Sequence, residues 1–292
     1  MSIVPAKNRM AFDRSRPERR VILRRKIMRL TAAVTVLAAI LASPCGVQAQ
    51  PGTFHFGFKK SVDGKLPSID EEGFKPIITK HGALFLGDTT RKELFLTFDN
   101  GYENGLTGKI LDVLKEKQVP ATFFVTGHYI KDQPELLKRM ASEGHIIGNH
   151  SWSHPDMTTL SDDAIRIELE KVKEQVQEVT GQQEMTYLRP PRGIFSEKVL
   201  AASKSSGYTS VFWSIAYKDW DVRAQKGASY AFQQVTKQLH PGAILLLHSV
   251  SQDNADALAS IIDEARRQGY EFKGLPELSS SAEEAPAPQP AS

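Results

Sequence analysis

Leu94-Phe95-Leu96-Thr97-Phe98-Asp99-Asn100-Gly101 is the stretch whose reading decides the fold. An unbroken apolar and β-branched run ends on a carboxylate, an amide and a glycine. So short and apolar a run, closed by a turn signal, is the pattern of a strand buried on both faces. Four further stretches repeat it. His145–Asn149 leads into His150-Ser151-Trp152-Ser153-His154, and Thr186–Leu188 into Arg189-Pro190-Pro191-Arg192. Thr209–Ser214 precedes Asp219-Trp220, and Ala243–Leu247 precedes His248. In a parallel α/β barrel the C-terminal ends of all strands open onto one face, and that face carries the active site. These distant polar residues are therefore expected to meet.

Between the strand-like runs lie helical patterns. Strands are expected at 94–98, 121–126, 145–149, 186–189, 209–214, 243–247 and 270–272, and helices at 105–117, 134–143, 162–180, 196–206, 229–239 and 254–268. The helix at 162–180 is the clearest. Ile165, Leu169, Val172, Val176 and Val179 form one apolar stripe, Ser161 can cap its start, and Gly181 can end it. Strict alternation implies a parallel sheet with helices outside. The fold class is α/β, and seven strands point to an incomplete (β/α)7 barrel with an N-terminal arm. An open doubly wound sheet is the second possibility, and there too ligands bind beyond the carboxyl ends of strands.

The chain divides into four parts. Residues 1–29 hold ten Lys or Arg against Asp13 and Glu18, Leu30–Ala42 is a thirteen-residue apolar stretch, and Val47-Gln48-Ala49 offers a cleavage site. Residues 1–49 thus read as an export signal. Its apolar part is too short to span a bilayer comfortably. Export across the cytoplasmic membrane with no lasting membrane span is expected, an uncleaved tether being the alternative. Residues 50–91 read as an arm with no visible chemistry, 92–278 as the main domain, and 279–292 as a disordered tail of Ala, Pro, Ser and Glu. The whole chain carries a net charge of +3; without residues 1–49, 27 basic residues face 32 acidic ones, a net charge of −5. Nucleic acid is not an expected partner. Cys45 is the only cysteine and leaves with the signal, so no disulfide or thiolate metal site is expected.

The polar clusters suggest hydrolytic chemistry, each against a plainer alternative. His150 and His154 could hold one metal ion from a turn at a strand end, or be two loop histidines with ordinary hydrogen bonds. Asp99 could be a general base, or cap the following helix. Arg189, stiffened by Pro190 and Pro191, could keep Asp99 ionised, or form a structural ion pair. His248 could be a protonated acid held by Asp219, or a satisfied core residue. Trp152 and Trp220 offer flat faces to sugar rings, or pack in the core. His55, His81, His128, His145 and His240 belong to no such pattern and read as structural, with His128 the best placed to line a site.

Phe98-Asp99-Asn100-Gly101, His150 with His154, Arg189-Pro190-Pro191-Arg192-Gly193, Asp219-Trp220 and Leu246 with His248 resemble the five ordered motifs of the NodB-type polysaccharide deacetylases, carbohydrate esterase family 4. The longer strings around Asn100 and Pro241, with Asp253-Asn254-Ala255, are similar to the branch that makes muramic δ-lactam in spore cortex. The resemblance implies de-N-acetylation of amino sugars in peptidoglycan glycan strands, with Asp99 as base, His248 as acid, Arg189 setting up Asp99, and Asp219 positioning His248. It implies a divalent cation on His150, His154 and Asn100, its identity among Zn, Mn, Co and Mg left open. It also implies a sugar cleft lined by Tyr102, Trp152, Pro190, Pro191 and Arg192, with Trp220 and Leu246 opposite. Family members usually carry a second aspartate where Asn100 stands, so weaker metal binding is expected. N-acetylmuramic acid is the expected substrate, N-acetylglucosamine in glycan or chitin oligomers the alternative. A glycosidase using Asp99 and Glu103 and a non-catalytic sugar-binding barrel are the rival readings.

Overall fold

A computed structural model describes residues 52–59, 61 and 66–278. The expected export signal and C-terminal tail lie outside them. The strands are β1 (Thr53–His55), β2 (Glu93–Asn100), β3 (Thr122–Val125), β4 (Ile146–Asn149), β5 (Tyr187–Leu188), β6 (Ile194–Ser196), β7 (Thr209–Ser210), β8 (Ala243–His248) and β9 (Glu271–Lys273). The helices are α1 (Lys75–His81), α2 (Thr107–Lys117), α3 (Gly127–Asp132), α4 (Pro134–Ser142), α5 (Asp162–Thr180), α6 (Glu197–Ser205), α7 (Ala228–Thr236) and α8 (Gln252–Arg267).

The opening stretch becomes β2, whose every residue is buried. It pairs in parallel with β3, β8 and β9. The seven-stranded sheet runs β7-β5-β4-β3-β2-β8, with β9 also on β2. This is the expected incomplete barrel, a parallel sheet wrapped by helices. Beyond β7 the chain no longer forms a regular ladder. Single bridges from Leu84 to Val211, Leu86 to Ala243 and Ile215 to Leu245 link that edge back toward β8. The strand expected at 209–214 therefore shrinks to two ladder residues.

Helix α5 shows the sequence logic at work. Ser161 Oγ accepts the Ala164 N–H at 3.2 Å, Gly181 adopts φ +77°, and Ile165, Leu169, Val172 and Val176 face the core. Two core layers result. Leu94, Leu96 and Phe98 of β2 pack under the helices, while Phe95 joins Phe124, Val211 and Ile244 inside the barrel.

Further elements differ from the sequence reading. Helix α3 is capped by the Thr126 hydroxyl, which accepts the Tyr129 N–H. Helix α1 forms inside the supposedly featureless arm. Strand β1 pairs antiparallel with β6, Phe54 opposite Phe195. Phe56, Phe74 and Phe195 then build a separate aromatic core with Phe212 and Trp213. The arm is thus fastened by apolar burial rather than by a long strand.

Candidate active site

Successive side chains of a strand point to opposite faces. Asp99 shares the parity of Phe95 and faces the barrel interior, while Asn100 shares that of Phe98 and turns toward the helices. Arg189 follows β5 and is fully buried. Its Nη1 donates to Asp99 Oδ1 at 2.7 Å, its Nε to the Val211 carbonyl at 3.1 Å and its Nη2 to the Phe212 carbonyl at 3.3 Å. The guanidinium also lies 4.2 Å from the Phe124 ring centre. Burial alone raises the Asp99 carboxyl. The Arg189 charge, with His150 and His248 adding to it, outweighs that and holds Asp99 below the usual carboxylate range.

His150 and His154 come from the turn after β4. The Asn149 side chain accepts the Ser151 N–H at 2.9 Å, and Ser151 Oγ accepts the His154 N–H at 3.1 Å. The two rings lie edge to face with centres 4.9 Å apart. His150 Nδ1 donates to the Arg189 carbonyl at 2.8 Å, so its Nε2 carries the lone pair, 3.5 Å from Asp99 Oδ2. Burial lowers His150, against the pull of Asp99. Burial and neighbouring His150 push His154 down to about 4. Both imidazoles are therefore neutral at pH 7, the form that ligates metals.

His248 ends β8 opposite Asp99 in the ladder. Its Nδ1 donates to Asp219 Oδ1 at 2.7 Å, and its backbone N–H to Asp219 Oδ2 at 2.8 Å. Burial lowers this imidazole, but the charge and hydrogen bond of Asp219 more than compensate and leave it raised. With Nδ1 occupied, Nε2 is the nitrogen left to act.

Asp99, His150, His154 and His248 border one cavity of about 1010 Å³. Tyr102, Trp152, Arg192, Trp220 and Leu246 also line it, and Arg189 and Asp219 stand behind the lining. Pro190 and Pro191, expected on the sugar-binding wall, are instead buried behind it. There they shape the turn that presents Arg192. The arm, read as lacking chemistry, supplies a wall through His55, Phe56, Gly57 and Phe58; Trp213 and His128 complete it. His55, read as structural, thus lines the cavity, and no local motif marked it. A better signal lay in the backbone. Among the described residues four non-glycines have positive φ, and Ser151, His154 and Arg192 are three of them. Each costs roughly 1–3 kcal/mol, and such strain collects at functional sites.

Asn100, expected as a metal ligand, is not among the residues lining the cavity. It is fully buried, its Oδ1 accepts from Ser249 Oγ at 2.9 Å, and its Nδ2 faces Thr107 Oγ1 at 3.4 Å. Strand alternation explains why its amide turns toward Ser249 and Thr107. Among the described residues no group of three or more His, Cys, Asp or Glu forms a metal cluster. Two neutral imidazoles beside one carboxylate fit a loosely held divalent cation with positions open to water and substrate. Glu103 is also committed elsewhere. Its carboxylate accepts the Leu106 and Thr107 N–H groups at 2.7 and 3.1 Å and the Tyr129 hydroxyl at 3.2 Å. Asp99 is the one carboxylate among the described residues lining the cavity, so the pair a glycosidase needs is missing.

A carboxylate held ionised, two paired imidazoles and a third imidazole backed by a carboxylate in one cleft suit amide hydrolysis on a sugar. Residues 86–211 match the family described as polysaccharide deacetylase. The chain belongs to that family, whose members are hydrolases of N-acetyl amide bonds. The peptidoglycan-N-acetylmuramic acid deacetylase PdaA of Bacillus subtilis is 51% identical over 249 residues, covering 85% of this chain and 94% of that protein. The solved structure of B. subtilis PdaA, a family 4 carbohydrate esterase, superposes with a TM-score of 0.77 at 52% identity, over 80% of this chain and 100% of that one. A peptidoglycan-N-acetylglucosamine deacetylase of Bacillus cereus is 34% identical over 233 residues, 77% of this chain and 82% of that protein.

Proposed function

We propose that this protein removes the acetyl group from N-acetylmuramic acid in peptidoglycan glycan strands, outside the cytoplasmic membrane. Arg192 carries the choice of sugar. It is exposed on the cavity wall, and no carboxylate among the described residues pairs with it. Muramic acid differs from glucosamine by a lactyl ether ending in a carboxylate, the group a free guanidinium binds in a forked geometry. The 51% identity to an N-acetylmuramic acid deacetylase supports the same choice. No helix among the described residues is long and apolar enough to cross a membrane.

In the reaction, Asp99 takes a proton from a water molecule as its oxygen adds to the acetyl carbonyl. His248 Nε2 gives its proton to the sugar nitrogen as the C–N bond breaks. Acetate and the free amine leave, and water restores both groups. Arg189 keeps Asp99 charged, and Asp219 holds His248 through Nδ1–H, so that the proton on Nε2 is the one it gives. His150 and His154 would hold a divalent cation, which supplies Lewis acidity toward the carbonyl oxygen. With two ligands in place of a full cage, that cation is weakly held and exchangeable.

The freed amine lies beside the lactyl carboxylate of its own sugar. Closure between them with loss of water gives muramic δ-lactam. That product, and a place in spore cortex, rest on the resemblance of the motifs. The test compares glycan strands bearing free lactyl groups with N-acetylglucosamine oligomers, for the native protein and Arg192→Ala. The native protein is expected to prefer the muramic substrate. The substitution is expected to raise KM on it by about 10- to 100-fold, the value of a charge-assisted hydrogen bond, and to leave the neutral oligomers unchanged. Preference for neutral oligomers, or equal losses on both, contradicts the assignment.

A further inference from the structure

Asp253-Asn254-Ala255 opens α8, and the reaction leaves these residues without a task. Asp253 pins the loop that carries Trp220: its two oxygens accept the Lys226 and Gly227 N–H groups at 2.6 and 2.8 Å. Asn254 points the other way and is almost completely buried. Its Nδ2 donates to Asp219 Oδ2 at 2.6 Å and to the His248 carbonyl at 3.3 Å. The amide orientation is forced. A carboxylate only accepts, so the NH2 group must face Asp219 and the oxygen must face Tyr217, whose hydroxyl donates to it. Burial pushes the Tyr217 phenol up, so it stays a donor. Ser251 Oγ fixes the backbone of Asn254 at 3.2 Å.

We infer that Asn254, oriented by Tyr217, is the positioning residue that aims Asp219 at the general acid His248. A carboxylate held by one contact rotates about its terminal bond. Here Oδ2 is fixed by two donors, the Asn254 amide and the His248 N–H. That leaves Oδ1 in line with His248 Nδ1. Nδ1–H is thereby fixed on Asp219, and the Nε2–H of the protonated ring is presented to the leaving nitrogen. Rotation of Asp219 releases the ring and misplaces the proton. Displacements near 1 Å by residues outside the reacting centre cost up to about 100-fold in rate.

This inference rests on reading His248 as the general acid, so the test separates the two. Amide and aryl ester substrates differ in what they need. A sugar amine leaves only when protonated, whereas the phenolate of an aryl acetate leaves unprotonated. Rates on N-acetylated glycan and on an aryl acetate are to be measured for the native protein, His248→Ala, Asn254→Ala and Tyr217→Phe, with melting temperatures alongside. For His248→Ala the amide loss is expected to exceed the ester loss by 100-fold or more, within the usual range for a general acid. For Asn254→Ala the amide kcat is expected to fall about 10- to 100-fold with KM within twofold, again exceeding the ester loss. Tyr217→Phe is expected to act in the same direction with smaller size, and it carries the comparison should Asn254→Ala fail to fold. Equal losses on the two substrates for Asn254→Ala and Tyr217→Phe, with His248→Ala still selective, overturn the inference alone. Equal losses for His248→Ala overturn the acid itself.

Discussion

Arg189 and Asp99 form an ion pair of 2.7 Å with both partners buried, linking the end of β5 to the end of β2. The contact is local chemistry and global architecture at once. Two carbonyls beyond β7 take two further guanidinium hydrogens, so one side chain ties three parts of the barrel rim together. Arg189→Ala leaves a buried carboxylate without its counter-charge, a loss of about 3–5 kcal/mol. A marked fall in melting temperature is expected, with loss of deacetylation. Arg189→Lys is expected to recover little of either, because an ammonium cannot reach the carboxylate and both carbonyls in one plane. Thermal unfolding and acetate release check this; a lysine variant as stable and active as the native protein contradicts it.

His248 sets the alkaline side of the pH profile. Its pKa is raised above 6.5 because Asp219 outweighs burial. The protonated form is the active acid, so activity is expected to fall as pH rises through that raised value. Asp219→Asn removes the negative charge, lowers the His248 pKa and moves the alkaline limb to lower pH. The measurement is kcat against pH for both proteins. An unmoved limb in the variant excludes His248 as the titrating group.

Metal dependence separates His154 from Asn100. Chelation is expected to lower activity, and added divalent ion to restore it. His154→Ala is expected to remove metal binding in calorimetric titration. Asn100→Ala is expected to leave metal affinity within about twofold and to cost roughly 1–3 kcal/mol of stability through the unpaired Ser249 hydroxyl. A large loss of metal affinity in Asn100→Ala places its amide oxygen in the ligand set after all.

Trp152 reaches the cavity wall by lying directly on Gly127, where an added Cβ meets the indole ring. The Gly127 N–H also donates to the Trp152 carbonyl at 3.0 Å. Gly127→Ala is expected to displace the ring and raise KM for glycan about two- to tenfold, the worth of one aromatic contact, while kcat holds. Fluorescence of bound oligosaccharide and steady-state kinetics read the effect. Unchanged KM removes Trp152 from the sugar wall.

Strand periodicity made the barrel legible. The apolar run at 94–98 and its four counterparts are local signals, and each stops where the polar residues begin. The stripe and caps of 162–180 were equally local. The arm was not, because β1 is three residues long and is held by Phe54 against Phe195 and by the adjoining Phe56 against Phe74 and Phe212, contacts between segments apart in sequence. The same reason hid His55 and Phe58 from the cavity lining. The setting of Asn100 was hidden for the opposite reason. Adjacency to Asp99 suggested a shared site, yet neighbours on a strand face opposite sides. The roles of Asn254 and Tyr217 needed the fold, since their partners Asp219 and His248 lie on other segments.

Acetate released from purified glycan strands bearing free lactyl groups, measured together with the mass of the sugar fragments, tests the central claim most directly. The expected result is one acetate for each muramic residue that loses an acetyl group, with release lowered about 10²- to 10⁴-fold in Asp99→Asn, the range of a lost general base. New reducing ends without acetate, glycan binding without acetate, or native turnover in Asp99→Asn contradicts it.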